Sequence, residues 1–515
     1  MSVSKPAPTS SDWATKPRST ASHGRVVALM LLASTLVLPP QVSPAMAQVK
    51  LPDLGGRVEV LPPDQARMFP AEFRNFMRAQ GLLIEDPIIE AYFDDMGHRI
   101  VMHSEGRNRP FHFHVLRIPG INAFAAPAGV VALNSGLILA ARSADEVAGV
   151  LAHEVSHVTQ NHLVRGLEEA QRISVPMMLA TLGLVLVGGA TGSMDAETAQ
   201  GLLMTGIGLS QQSQINYTRQ NEAEADRIGI QLMSRAGYDP IGMAAFFDTL
   251  NRWSRSMGAG PPEYLRTHPL TVSRVAEARE RAERLTAIGD GDSDNAFPFV
   301  QARLRVLMSS HADEAAEWFE RNLRADQPNP DALRYGLALA SLRGSQLERA
   351  ETELEILRRS RGEEQLVRLL DGELRLAQGQ LDAALKIFEH LFNDYGQSRP
   401  ITISYVEALM HENDPDRAAL ASMLLRDQLR RTPDDVKLTA LMALAADRAG
   451  DPVRAAEAVA ANYHQRGGLP QAIEQLERIL QRDDLNYYDR ARIAARLDQL
   501  RVERMRSSRR GDEAQ

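Results

Sequence analysis

Three patterns of apolar and polar positions follow one another along the chain. The first is short and strand-like. HFHVLRI at 112–118 and GVVALNSG at 129–136 are rich in β-branched and apolar residues and are bounded by turn formers. They predict two strands, with a turn or loop in PGINAFAAPAG at 119–129 between them. The second pattern is helical. From Ser143 to about Leu167 apolar residues recur at helical spacing, with Ser143 placed to cap the N-terminus and Asp145 and Glu146 in the first turn. RQNEAEADRIGIQLMSRAG at 219–237 predicts another helix with one apolar face.

The third pattern is a repeat. After about residue 299 the chain is helical throughout, and Ala316, Ala350, Ala384 and Ala418 recur every 34 residues at an equivalent small position. That is the period of tetratricopeptide repeats, in which a small residue lets the two helices of a unit approach closely. The period breaks after residue 435, GLPQAIEQLERIL at 468–480 reads as a degenerate unit, and 487–503 as a capping helix. The acidic stretch 289–298 (GDGDSDNAFP) reads as a linker. Asp290, Asp292 and Asp294 mimic the start of a calcium loop, but Asn295 and Gln301 stand where such a loop requires glycine and glutamate. The expected organisation is a mainly α chain with a small β-sheet: a first unit that holds the strands at 48–288, the linker, an α-solenoid of repeats at 299–504 and a disordered tail at 505–515.

Composition narrows what these elements do. The chain has 515 residues, is 44% hydrophobic and 24% charged, and carries a net charge of −8, so nucleic acid is not an expected partner. It has no cysteine, which excludes thiolate metal sites and cysteine nucleophiles. Lys5, Lys16, Arg18 and Arg25 precede the uncharged run 26–38, which Pro39 and Pro40 end before an Ala45-Met46-Ala47 cleavage motif. Residues 1–47 therefore read as a signal peptide and the expected location is the periplasm. A second uncharged run, 173–194, is long enough to cross a bilayer. A single crossing there would separate the two halves of the site described next, so a soluble hairpin or lid able to touch a membrane is expected instead.

The chemistry lies in LAHEVSHVTQNH at 151–162. His153 and His157, four apart on a helix, aim two imidazoles at one point, and Glu154, about 100° round, can reach a water held by a metal. A catalytic zinc needs a third protein ligand and an open position. Without cysteine the search falls on carboxylates. Glu222 and Asp226 share one face of the helix at 219–237, whereas Glu224 points elsewhere. Glu222 suits the third ligand, and Asp226 suits an acceptor for the outer N–H of a ligating histidine. His98, His103, His112, His114 and His162 carry no such pattern and read as structural; His162 in particular, five residues after His157, drifts off the ligand face of a continuous helix.

HEVSHVTQNH followed by NEAEADRIG, with INAFAAPAGVVALNSGLI upstream, resembles the HtpX-like and Oma-like membrane-associated zinc peptidases. The export signal and the repeats narrow the resemblance to the periplasmic β-barrel assembly-enhancing branch. The resemblance implies one Zn²⁺ per chain held by His153, His157 and Glu222, with Glu154 as general base and Asp226 behind the ligands. It implies substrate backbone added to an edge strand in 129–136, and outer-membrane β-barrel precursors and their assembly machinery as partners. In YLRTHPLTVSRVAEA at 264–278 it implies a metal-proximal His268, able to fill the open position in a resting state, with Arg274 nearby as an oxyanion or regulatory group. The competing expectation is a chaperone or scaffold that works through the repeats and carries a latent metal site.

Overall fold

A computed structural model of the chain describes residues 63–166, 218–257, 262–288, 295–325, 327–396 and 398–512. The expected signal peptide, the run 173–194 and most of the linker lie outside these residues. Among the described residues no helix is long and apolar enough to cross a membrane.

The apolar run Val130–Asn134 is buried along its whole length, as a strand covered on both sides must be (β3, Val130–Asn134). It is the middle strand of three. It pairs in parallel with β1 (His112–Leu116), His112 opposite Val130, and antiparallel with β2 (Ala123–Ala126), Ala123 opposite Leu133. Two expectations change here. The segment 119–129 is not all turn, because its AFAA stretch forms β2, and the strand within 129–136 is central, so the sheet edge available to an incoming strand is not its own. The tight connection from β2 to β3 depends on Gly129. Its φ is +78°, and a Cβ there would meet the Pro110 carbonyl oxygen at 2.1 Å.

Helices cover the sheet. α1 (Pro63–Ala79) and α2 (Pro87–Met102) precede it; Asp86 caps α2, its carboxylate accepting from the Ile88 and Ile89 N–H groups, and Ile88, Ile89, Phe93, Met96 and Ile100 form the buried face. The short α3 (Ser135–Ala140) leads from β3 into α4 (Ala144–Thr159), which starts where Ser143 Oγ accepts from the Glu146 N–H. Val147, Val150, Leu151 and Val155 bury α4 against the sheet and against α6 (Ile241–Met257). At Gly149 the two helices nearly touch, since a Cβ would lie 2.9 Å from the Met243 Cα. α5, described over 218–235, packs Ala225, Ile230 and Met233 inward. α7 (Glu263–Thr267) and α8 (Val272–Glu283) complete this half.

From Phe297, two residues inside the expected linker, the chain is a succession of helices joined by short turns. Ala316, Ala350, Ala384 and Ala418 are each almost completely buried, as the 34-residue spacing requires. The last helix runs to Asp512, past residue 505 where ordered structure was expected to end. One apolar core extends from Ile84 to Ala458, through the sheet, α4, α6 and most of the helices that follow, and a small second one joins Ala460 to Leu500. Partly buried ion pairs fix the helical region to α2. Arg303, on the helix Phe297–Met308, donates Nε to Asp86 at 2.9 Å and reaches Tyr335 Oη at 3.3 Å; Arg399 reaches Glu90 at 2.9 Å. Removing Arg303 would leave the largely shielded Asp86 carboxylate uncompensated. Arg303→Leu is expected to lower unfolding stability by about 3 kcal/mol, read as a reduced denaturant midpoint.

His114 on β1 stacks on Phe73 of α1 with ring centroids 5.6 Å apart, and its Nε2 is sheltered without a hydrogen-bond partner. Burial, reinforced by the Arg74 guanidinium, pushes its pKa down to about 3. The unfolded imidazole titrates near 6.5, so between those values the unfolded chain binds the extra proton and stability falls as pH falls. His114→Phe should remove up to about 2 kcal/mol of the stability difference between pH 7 and pH 5. Melting curves at the two pH values test this.

Candidate metal centre

α4 carries His153 and His157 one turn apart, and their Nε2 atoms converge to 3.0 Å. α5 brings Glu222 against them, Oε2 3.4 Å from His153 Nε2 and Oε1 3.4 Å from His157 Nε2. His268, the C-cap of α7, enters from the other side, Nδ1 3.2 Å from His153 Nε2 and 3.0 Å from Glu222 Oε1. Its ring lies on Tyr264 with centroids 4.7 Å apart. One donor atom from each of these four residues lies within 4.8 Å of all the others. Helical spacing accounts for the pairs within α4 and α5; the meeting of the two helices is tertiary packing.

Behind the donors the contacts fix orientation. His153 donates Nδ1–H to Asp226 Oδ1 at 2.9 Å, which leaves the Nε2 lone pair facing the cluster. Asp226 is one turn beyond Glu222 on α5, and Arg274 of α8 clamps it, with Nε on Oδ2 at 2.7 Å and Nη2 on Oδ1 at 2.9 Å. Nη1 of the same guanidinium reaches Glu222 Oε2 at 2.9 Å and the Pro269 carbonyl at 2.8 Å. Arg274 thus faces the back of the centre, and its nitrogens are engaged with protein carboxylates and carbonyl. Glu154 is buried beside the cluster; its Oε1 has no hydrogen-bond partner and lies 3.5 Å from His268 Nε2.

The electrostatics favour a cation. Glu154, Glu222 and Asp226 are buried, and among the described residues Arg274 is the one buried guanidinium that offsets them, an excess of two negative charges when the imidazoles are neutral. Burial works against a charged His153, but its hydrogen bonds to Asp226 and Glu222 outweigh it and lift the imidazole to about 10. Burial would likewise raise Glu222 and Asp226, yet the facing histidines and Arg274 hold both below the ordinary carboxylate range. Imidazole nitrogens and carboxylate oxygens thus face one point. That donor set, without thiolate, together with the unpartnered Glu154 oxygen, fits a divalent metal and a water beside it.

The structure thus brings His153, Glu154, His157, Glu222, Asp226, His268 and Arg274 together. His98, His112 and His114 lie on α2 and β1, outside the cluster. His162 is different. The helix does not run on to Leu167 but ends at Thr159, and Asn161, with φ +54°, redirects the chain into a second helical stretch, described over 162–166. His162 thereby folds back, its Nδ1 2.9 Å from His157 Nδ1 and its Nε2 3.1 Å from Glu224 Oε2. The expectation that it drifts away assumed an unbroken helix. Asn161, a residue that tolerates left-handed backbone, was the signal against that assumption.

Comparison with known proteins agrees with this geometry. The profile of peptidase family M48 matches residues 87–282. The β-barrel assembly-enhancing protease of Escherichia coli is 31% identical over 484 residues, 92% of this chain and 96% of the relative. That of Yersinia pestis is 32% identical over 460 residues, 88% of this chain and 92% of the relative. The chain belongs to peptidase family M48. Similarity to the Schizosaccharomyces pombe mitochondrial metalloendopeptidase OMA1, 29% identical over 182 residues, covers 35% of this chain and half of that protein. As an M48 peptidase the chain is a metalloendopeptidase that acts on proteins and uses a divalent metal.

Proposed function

We propose that the metal is zinc, that His153, His157 and Glu222 hold it, and that the enzyme is exported to the periplasm. There it cleaves outer-membrane β-barrel precursors and assists their assembly; its relatives are named as proteases that enhance β-barrel assembly. The observation that carries the reading is the convergence of two imidazoles and one carboxylate beside a buried glutamate whose oxygen has no partner. The absence of cysteine and the mixed imidazole–carboxylate donor set suit catalytic zinc. When bound, the ion supplies Lewis acidity toward the scissile carbonyl and acidifies the attacking water.

The remaining work falls to the chain. Glu154 Oε1 takes the proton of the attacking water and then delivers it to the leaving amine. Asp226, clamped by Arg274, fixes the His153 tautomer that presents Nε2. We assign Arg274 this anchoring role over oxyanion binding, because its guanidinium is turned to Asp226, Glu222 and Pro269. β2, at one edge of the sheet and packed over α4, is the strand to which an extended substrate adds. The peptidase half at 48–288 and a repeat unit at 299–504 are the working division of labour, with the repeats offering a helical surface to substrate or partner.

His268 defines a resting state. With Nδ1 among the candidate ligand atoms and Nε2 toward Glu154, it would occupy the place of the open ligand and shield the base. A chaperone or scaffold reading has the extended helical region in its favour. It predicts that assembly of β-barrels survives loss of cleavage.

Glu154→Gln should retain one zinc per chain and lose casein cleavage by about 10²–10⁴-fold; metal analysis beside a protease assay reads both. Equal activity in the two proteins would sink the enzyme assignment of Glu154. His268→Ala should raise basal casein cleavage in the zinc-loaded chain. Unchanged zinc coordination and unchanged basal cleavage would remove the resting-state role.

A further inference from the structure

His157 is held in place differently from His153, and the difference points to a positioning device. Resting on the reading of His157 as a metal ligand, we infer that His162 and Glu224 form a directed hydrogen-bond relay that sets the His157 tautomer. His157 Nδ1 and His162 Nδ1 are 2.9 Å apart, His162 Nε2 is 3.1 Å from Glu224 Oε2, and Arg165 Nη1 is 3.0 Å from the same oxygen.

Only one proton fits between the two Nδ1 atoms. Its owner follows from both ends. At the inner end, His157 Nε2 faces the donor cluster and must present a lone pair, so the N–H of the neutral ring is at Nδ1 and donates. At the outer end, Glu224 is paired with Arg165 and can only accept, so His162 carries its proton on Nε2 and offers a lone pair at Nδ1. The reverse direction would set a bare Nε2 against a carboxylate oxygen. The two ends therefore demand the same chain: His157 Nδ1–H to His162 Nδ1, then His162 Nε2–H to Glu224.

The geometry depends on Asn161, whose positive φ turns His162 back onto α4. His153 reaches its buried carboxylate directly, whereas His157 reaches a partly exposed one through a neutral ring. His162 is a positioning residue, acting on the metal only through His157. Loss of such an outer partner typically weakens metal affinity about 10–100-fold.

The test uses the full chain and zinc, with affinity measured by competition with a fluorescent chelator. His162→Asn places an acceptor oxygen where Nδ1 lies, while His162→Gln places its amide where Nε2 lies. His162→Asn should bind zinc nearly as tightly as wild type, and His162→Gln and His162→Phe about 10–100-fold more weakly. Histidine ¹⁵N resonances of the zinc-loaded wild type should report His157 protonated at Nδ1 and His162 at Nε2. Equal affinity in all three variants, or a proton on His162 Nδ1, would overturn the relay while leaving a zinc-binding wild type intact. A wild type that binds no zinc would overturn the relay and the metal assignment together.

Discussion

The Asp226 carboxylate is the contact on which the centre depends. It is buried, and a buried carboxylate is tolerated only when charge and hydrogen bonds compensate its lost hydration. Here the compensation comes from two elements at once, the guanidinium of Arg274 on α8 and the imidazole N–H of His153 on α4. Three helices are thereby required to meet at one point. Arg274 also reaches Glu222, one turn earlier on α5, so the two carboxylates cannot be placed independently. Orientation of the donor set is thus a consequence of neutralising a buried ion.

The same logic holds further out. Asp86 caps α2 and is also the acceptor for Arg303, so a local helix signal and a long-range attachment share one carboxylate. Arg399 repeats the arrangement one turn along α2 at Glu90. With the apolar core continuous from Ile84 to Ala458, these pairs tie the helical region to the helix next to the sheet. Buried apolar area supplies most of the stability there, and the ion pairs specify which faces meet.

Much of the centre was legible because two rules need only local spacing. His153 with His157, and Glu222 with Asp226, are one turn apart on helices that could be read from apolar periodicity and caps. The recurring alanines were legible for the same reason. What failed was whatever depended on a break in regularity or on pairing order. The AFAA stretch of β2 has too little β-branched character to stand out, and no local pattern says that 130–134 is the middle of three strands. His162 was misplaced because helical arithmetic was carried through Asn161. A single left-handed residue changed its direction and gave the centre a contact that spacing denied it.

His268 shows what the local sequence leaves open. Its backbone N–H bonds to the Tyr264 carbonyl at 2.8 Å, which is the ordinary end of a short helix. Its side chain, stacked on Tyr264, turns one ring nitrogen to Glu222 and His153 and the other to Glu154. Capping and site contact are therefore not alternatives. In the proposed resting state, one ring rotation away from Tyr264 would free a metal position and the general base together. Because one side chain faces both groups, the proposed resting state would release them together.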